Sequence, residues 1–310
     1  MLTMNRWGFW IPGIIQAGLW ILLIFTMPET LFSRKDHSRL EKRTYAQKLF
    51  FHGKVLDRKI QAKDFVGSLR MAQYAAVLLP TIWYMTANTY GSALFAVTGS
   101  HLAASVYHFN VEQTGLLMGV PLTIGCIIGE GTAGWVSDAI INAYAKRHNG
   151  YRKPEARLYL LPLTILLAIG TSTYGYCVQN HRHWIEAAVC MAISGLGTQV
   201  GTTMVYTYAT DAYKPQSGEI GAVINLFKSG GSTSYSVLLN EVLQLLTLSL
   251  VFAFNIGFYA LPFGEKVGFN VSFATLAAIN LVLLLPLLLL IWKGDKIRAR
   301  QGTPKDHADI

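Results

Sequence analysis

Long apolar runs separated by short polar or basic segments are the main pattern along this chain. A helix needs ~20 apolar residues to cross a hydrocarbon core of ~30 Å, so each run predicts a membrane-spanning helix. The runs are, in chain order, 7–27, 75–97, 114–137, 158–178, 184–207, 219–263 and 268–292. They predict seven spans if the region 219–263 crosses once, although its 45 residues are roughly twice the length of one span.

Composition favours the same class of protein. The 310 residues are 52% hydrophobic and 14% charged, and the mean hydropathy is +0.35. These values lie outside the usual range of a soluble domain. In lipid every backbone polar group must be bonded internally, and a helix meets that condition within one segment. The predicted fold class is therefore an all-α integral membrane bundle.

The basic residues lie between the apolar runs and set the predicted orientation. Eleven Lys and Arg residues fall in 34–70, five in 146–157 and five in 293–305. Short cytoplasmic loops collect Lys and Arg, so these segments are predicted on the cytoplasmic side. Segment 34–70 is predicted to be either an amphipathic helix on the anionic leaflet or a solvated linker. No nucleic-acid motif accompanies the net charge of +9, and nucleic acid is not an expected partner.

The sequence carries no recognisable catalytic or metal-binding motif. No H-E-x-x-H, G-x-S-x-G or P-loop pattern occurs, so no enzyme, cofactor or metal is predicted. Cys126, Cys177 and Cys190 lie in apolar runs without a C-x-x-C spacing and are interpreted as packing residues. The first run ends in Met27-Pro28-Glu29-Thr30 rather than in a small-residue cleavage site, which predicts a retained span.

Five short signatures occur in order along the chain. They are Arg6-Trp7-Gly8-Phe9-Trp10, Met27-Pro28-Glu29-Thr30-Leu31, Gly134-Trp135-Val136-Ser137-Asp138, Pro154-Glu155-Ala156-Arg157-Leu158 and Tyr208-Ala209-Thr210-Asp211-Ala212-Tyr213. Together with the long basic loop, they resemble the second half of a fungal transporter of the major facilitator superfamily (MFS). The third signature is similar to the family's G-x-x-x-D loop, and Ala139 stands where the family usually has a basic residue.

The resemblance implies an MFS-type helical bundle of about seven transmembrane helices: the sixth helix and the C-terminal half of a twelve-helix protein. The implied parts are the first helix in 1–33, the basic central loop in 34–70, the helical half in 71–293 and a cytoplasmic tail in 294–310. The first half of the family's fold is expected to be missing, and a complementary transporter half is an implied partner. Residues Ser234 to Ile256 look surplus to the family pattern, and are interpreted as an unspliced intron or a re-entrant hairpin.

The resemblance also implies a function. It predicts a secondary active, proton-coupled transporter of a small organic molecule in the plasma membrane, with the vacuolar membrane as the alternative location. Export of a drug, toxin or secondary metabolite is the expected activity. Uptake of a cationic metabolite such as a polyamine, and a truncated membrane protein without transport activity, are the alternatives. The implied partners are the substrate, the proton and the lipid bilayer.

Polar side chains at helical spacing are candidates for the substrate path. Two runs each place four of them on one helix face, at or near the spacing i, i+3, i+4, i+7. The first stripe comprises Gln199, Thr202, Thr203 and Tyr206, and the second comprises Thr81, Tyr84, Asn88 and Ser92. These side chains either line a cavity or form hydrogen bonds across helix interfaces, and each such bond stabilises the bundle by ~0.6 kcal/mol on average.

Glu130 and Lys228 are the candidates for proton coupling. Both are predicted inside spans, where an unpaired charge costs at least ~2.5 kcal/mol. Glu130 lies eight residues before Asp138 and Lys228 lies ten after Gly218, which puts them at similar depths of ~12 and ~15 Å. The hypothesis is that Glu130 exchanges a proton while Lys228 and substrate compete for it. The alternatives are a structural ion pair between the two and a Glu130 that reaches to the interface.

Two further sets of residues are given structural roles. Gly134, Asp138 and Asp211 fall at predicted cytoplasmic helix ends, where they are expected to tie loops together across a gate. The pairs Gly125-x-x-x-Gly129 and Gly197-x-x-x-Gly201 are expected to let helices approach closely.

Overall fold

The computed structural model describes residues 4–26, 70–230 and 256–302, and these ranges are helical with no β-strand. This confirms the predicted all-α class. The predicted basic loop 34–70 lies outside the described residues apart from Arg70, and so do residues 231–255, which hold nearly all of the surplus segment.

The first helix, α1 (Met4–Thr26), belongs to a compact unit separate from the one that holds all the other described helices. Its residues from Trp10 to Thr26 form an apolar helix whose side chains are all exposed within the unit. A helix with apolar side chains on every face is suited to lipid rather than to water.

The second unit contains nine described α-helices and three short 3₁₀ segments. The helices are α2 (Ala75–Asn88), α3 (Leu94–Val106), α4 (Val111–Arg147), α5 (Leu161–Gln179), α6 (Trp184–Ala212), α7 (Ser217–Gly230), α8 (Ile256–Val267), α9 (Phe269–Val282) and α10 (Leu285–Gln301). The 3₁₀ segments are Met71–Gln73, Pro154–Leu160 and Lys214–Gln216.

Four helical stretches of the described ranges are long and apolar enough to cross a membrane. They are Val111–Arg147, Pro154–Gln179, Trp184–Ala212 and Phe269–Gln301. The first continues ten residues past the predicted end of its apolar run at 137. Lys146 and Arg147 in its last turn complement the helix dipole. It stops before Asn149 and Gly150, both of which have positive φ.

The predicted span 75–97 is a longer helical segment that a π-helical turn interrupts. A π-helical turn, Thr89–Ala93, joins α2 to α3, which ends at Val106. Gly91 lies in this turn, and a Cβ there would overlap the Thr198 hydroxyl of α6. The turn adds a residue to the local repeat, so the helical phase assumed for the stripe from Thr81 to Ser92 does not continue past Asn88.

Glycines hold α4, α5 and α6 close together, as predicted. A Cβ at Gly125 would overlap the backbone carbonyl of Ala192, and one at Gly129 would lie 2.8 Å from the Leu196 carbonyl oxygen. A Cβ at Gly197 would overlap the backbone of Leu167 in α5. The three helices therefore pack backbone to backbone, which confirms the expected close approach.

Gly125→Ala is expected to destabilise the chain by about 1–3 kcal/mol, because a backbone carbonyl cannot move aside as a flexible side chain can. The matched control is Gly119→Ala on the same helix, where a Cβ meets nothing within 4 Å. Thermal unfolding of the two purified variants in detergent measures the difference. Equal melting temperatures for both variants and the parent would contradict the close packing of α4 on α6.

The core of the second unit consists of two hydrophobic clusters. One surrounds Trp83, Met204 and Phe227, and the other surrounds Phe95 and Phe273. The first cluster supports the polar side chains described next, since Tyr84 belongs to it and Tyr206 packs against it.

Candidate functional site

A carboxylate inside the apolar helix α4 is bonded to α6. The Gln199 side-chain amide donates to Glu130 Oε2 at 2.6 Å, and the Thr203 hydroxyl donates to the same oxygen at 3.1 Å. Glu130 itself is exposed at the surface of the unit, and Gln199 and Thr203 are half-buried. The carboxylate is thus both tied to a neighbouring helix and accessible.

The close approach of the backbones explains this contact. Gly129 precedes Glu130, and a Cβ at Gly129 would lie 2.9 Å from Gln199 Cβ. Only a glycine allows α4 to come this near, and the next residue then reaches α6. Gln199 and Thr203 are one helical turn apart, so both of their side chains reach the same carboxylate.

A second group, called here the tyrosine–lysine cluster, comprises Tyr84, Tyr206, Asn225 and Lys228. The Lys228 ammonium lies 5.8 Å from the centre of the Tyr84 ring. The Tyr206 ring meets the Tyr84 ring edge-on, with centroids 5.9 Å apart. The Tyr206 hydroxyl donates to Asn225 Oδ1 at 2.8 Å. Helices α2, α6 and α7 therefore meet at this cluster.

Glu130 and Lys228 are not joined. Both lie in the described ranges, and no ion pair within 4.0 Å links them. Glu130 contacts α6 and Lys228 contacts α2 through Tyr84. The direct pair considered from the sequence is absent in this conformation, whereas the competition hypothesis requires only that the two charges act on a shared ligand.

The remaining path candidates have local roles or stand apart. The Thr202 hydroxyl donates to the Thr198 carbonyl of its own helix at 3.0 Å. Asn88 is half-buried at the last residue of α2, just before the π turn. The stripe on α6 thus divides, with Gln199 and Thr203 meeting Glu130 while Tyr206 meets the tyrosine–lysine cluster.

Arg157 joins the two aspartates assigned to the gate. Its guanidinium lies 2.6 Å from Asp211 and 3.2 Å from Asp138, and it donates to the Ser137 hydroxyl at 2.7 Å. One side chain therefore ties the 3₁₀ segment before α5 to both α4 and α6. Gly134 makes no comparable contact, since a Cβ there would meet nothing within 4 Å.

A further ionic network fastens α10 to the same 3₁₀ segment. Arg298 lies 2.6 Å from Glu155, which is 2% exposed, and 2.8 Å from Asp295. Asp295 also pairs with Lys153 at 2.5 Å, and this hydrogen bond raises the pKa of Lys153. Lys153 therefore stays protonated well above neutral pH, and the link does not depend on pH in the physiological range.

Sequence reasoning assigned no role to Arg157, Asn225 or Arg298. Arg157 was visible within the Pro-Glu-x-Arg-Leu signature, but its partners lie 19 and 54 residues away in the chain. Asn225 could have been found, because it precedes Lys228 by three residues on one face of α7. Nothing in the sequence indicates that Arg298 reaches Glu155, 143 residues away.

The described residues contain no group of three or more His, Cys, Asp or Glu side chains that could hold a metal ion. Cys177 and Cys190 are free thiols with sulfur atoms 4.0 Å apart in the core. The geometry found here offers hydrogen bonds, a carboxylate on the apolar helix α4 and an ammonium on α7.

Comparison with known proteins places this sequence in a family. The sequence model of the Major Facilitator Superfamily matches residues 2–237. The chain is 28% identical to MFS transporter cpaT of Aspergillus oryzae over 67% of its own length and 43% of that relative. It is 29% identical to the MFS-type transporter hepF of the same species, over 74% of the chain and 48% of the relative.

Similarity extends to transporters named for what they carry. The chain is 28% identical to Multidrug transporter DTR1 of Candida glabrata over 74% of its length and 38% of that relative. It is 27% identical to Dityrosine transporter 1 of Saccharomyces cerevisiae over 48% of its length and 26% of that relative. The chain spans about half the length, or less, of these curated relatives. No solved structure matches it. The family match over most of the chain confirms the resemblance: this chain belongs to the major facilitator superfamily and is a protein of a transporter family rather than an enzyme.

Proposed function

We propose that the chain provides the C-terminal half of a proton-coupled exporter of small organic molecules. The observation that carries the proposal is the Glu130 carboxylate, held by Gln199 and Thr203 within an apolar helix and exposed on one side. An ionisable side chain within a span costs at least ~2.5 kcal/mol and marks a functional site by default.

Protonation of Glu130 would alter the contact between α4 and α6. The ionised carboxylate accepts two hydrogen bonds at one oxygen, and charge-assisted bonds of this kind are roughly twice as strong as neutral ones. A proton on the carboxyl group weakens both bonds and removes the charge. Proton binding and release can thereby bias two arrangements of the helices, which is the requirement for coupling.

The Arg157 contacts support alternating access. They tie Asp138, which lies within α4 rather than at the predicted helix end, to Asp211 at the end of α6, on the predicted cytoplasmic side, where an outward-open state needs a closed gate. Alternating access in transporters of this architecture is a rocking of one repeat against the other around a central site. The complementary half is therefore a proposed partner.

Export from the cell across the plasma membrane is the proposed direction. The names of two relatives support a transported organic compound, namely Multidrug transporter DTR1 and Dityrosine transporter 1. Uptake of a cationic polyamine receives less support, because Glu130 is the one carboxylate in the described polar clusters at span depth and Lys228 stands among them.

Glu130→Gln is expected to lower gradient-driven transport by at least about tenfold. Glutamine keeps the shape of the side chain but cannot bind and release a proton as a carboxylate does. The test uses membrane vesicles from cells that express the gene's full transcript, with fluorescein and rhodamine 6G as probes and an imposed pH gradient. A protonophore defines the gradient-dependent part of the signal.

Glu112→Gln is the matched control, because Glu112 is exposed in the first turn of the same helix. This variant should transport like the parent. Full gradient dependence in Glu130→Gln would refute the coupling role. Absence of transport in the parent protein, with or without an added N-terminal half, would instead favour a non-transporting membrane protein.

A further inference from the structure

Lys228 carries a charge on α7, within a predicted span, and the described residues supply no counter-charge for it. It lies ten residues past Gly218, ~15 Å along the axis of α7. No described carboxylate lies within 4.0 Å of its ammonium, and Glu130 is bonded to α6 instead. An anionic ligand would offset the charge and gain strength from the low dielectric of the site.

The ammonium is held in place by its contact with Tyr84. A cation over a tyrosine ring gains about 0.5–2 kcal/mol, and Lys228 Nζ sits 5.8 Å from the ring centre. Tyr84 is 1% exposed and cannot swing away without disturbing the core. The long lysine side chain is thereby ordered before any ligand arrives, which lowers the entropy that binding must overcome.

The side chains beside Lys228 add a ring and further hydrogen-bond donors. Tyr206 is half-buried and stands edge-on to Tyr84, so its own ring borders the cluster. Its hydroxyl proton is directed to Asn225 Oδ1, which occupies the amide oxygen and leaves the Asn225 amino group as a donor. Asn225 is exposed, so these N–H groups can reach a ligand.

The arrangement selects by charge. An ammonium with three N–H donors and an amide with two match the acceptor oxygens of a carboxylate or an enolate. An organic cation would meet a like charge and would have to displace Lys228 from the Tyr84 ring. An aromatic ring of the ligand can pack against tyrosine in edge-on or offset geometry. Such a pair of rings contributes about 0.5–1.5 kcal/mol beyond the burial of its surface.

We infer that the tyrosine–lysine cluster is the binding subsite for an aromatic organic acid, with Lys228 and Asn225 contacting the anionic group and Tyr206 contacting the ring. This inference rests on the proposed transport function and names the substrate class for it. It concerns recognition alone and is independent of how Glu130 handles the proton.

The test is equilibrium binding to the purified chain in nanodiscs of neutral lipid. The probes are 2-naphthylacetate, 2-naphthylacetamide and 2-(2-naphthyl)ethylamine, which share a ring and differ in charge. The acid is expected to bind at least about tenfold more tightly than the amine, with the neutral amide in between. Lys228→Gln should weaken acid binding about tenfold and leave amide binding nearly unchanged.

Two variants separate charge from folding. Lys228→Arg keeps the positive charge and should retain most of the affinity for the acid. Lys214→Gln removes an exposed lysine from the 3₁₀ segment before α7 and should bind like the parent. The inference is overturned if the amine binds as well as the acid, if Lys228→Gln keeps the parent's preference, or if none of the three probes binds saturably.

The transport experiment with Glu130→Gln and the binding experiment with the three probes test the two proposals independently. If Glu130→Gln keeps the preference for the acid but also keeps gradient-driven transport, the coupling proposal fails and the subsite stands. If gradient-driven transport depends on Glu130 while the chain binds the acid and the amine equally, the subsite assignment fails and the coupling proposal stands.

Discussion

Arg298→Ala is expected to destabilise the chain by about 3–5 kcal/mol, the cost of leaving a buried charge without its partner. Glu155 is 2% exposed, and the Arg298 guanidinium at 2.6 Å is its closest counter-charge. Loss of this contact should weaken the attachment of α10 to the 3₁₀ segment that precedes α5, with the Lys153–Asp295 pair remaining. The measurement is thermal or denaturant unfolding in detergent, monitored through the loss of the helical circular-dichroism signal.

Arg300→Ala is the matched control, because Arg300 is exposed two residues further along α10. Its melting temperature should stay within error of the parent. Glu155→Gln combined with Arg298→Ala should recover part of the lost stability, because the uncompensated charge is then removed. Equal melting of Arg298→Ala and Arg300→Ala would show that the pair contributes little.

Arg157→Ala is expected to remove the link between Asp138 of α4 and Asp211 at the end of α6, at a cost of about 2–4 kcal/mol. The value is set below that of a fully buried pair, because the side chains of Asp211 and Asp138 are 26% and 70% exposed. Hydrogen exchange measured by mass spectrometry should rise in residues 139–153. Transport in vesicles should also fall, because the proposed gate can no longer close.

Arg152→Ala controls for the loss of a positive charge from the same loop. Arg152 is exposed, and its one described hydrogen bond, to Asn142, is 3.4 Å long. Arg157→Lys should be intermediate, because an ammonium cannot copy the fork of a guanidinium that reaches three partners. Unchanged exchange in Arg157→Ala would refute the idea that this residue holds the two aspartates together.

The residues that the sequence predicts at a gate show how much short motifs can indicate. Short signatures point to Asp138 and Asp211 as residues at cytoplasmic helix ends, and in the structure Arg157 contacts both, although Asp138 lies within α4 rather than at its end. Ala139 occupies the position where the family usually has a basic residue, and here a guanidinium from another segment reaches Asp138 instead. A motif specifies which residue types are present but not which distant segment completes the contact.

The polar stripes illustrate a different limit. Helical spacing correctly grouped Gln199 with Thr203, since one turn of α6 is regular, and both contact Glu130. The grouping of Thr81 with Ser92 assumed an unbroken α-helix, and the π turn Thr89–Ala93 changes the phase between them. Gly91 of this turn packs against Thr198 of another helix, and local periodicity does not record such a tertiary contact.

The sequence by itself determined the all-α class, the approximate position of the apolar helices and the membership of the major facilitator superfamily. These properties follow from hydropathy summed over the thickness of a bilayer and from short contiguous motifs. The tertiary structure alone decided that Glu130 bonds to α6 while Lys228 rests on Tyr84. The sequence places several possible partners of Glu130 at similar depths. The close approach of the α4 and α6 backbones at Gly129 is what brings Gln199 and Thr203, rather than Lys228, to the carboxylate.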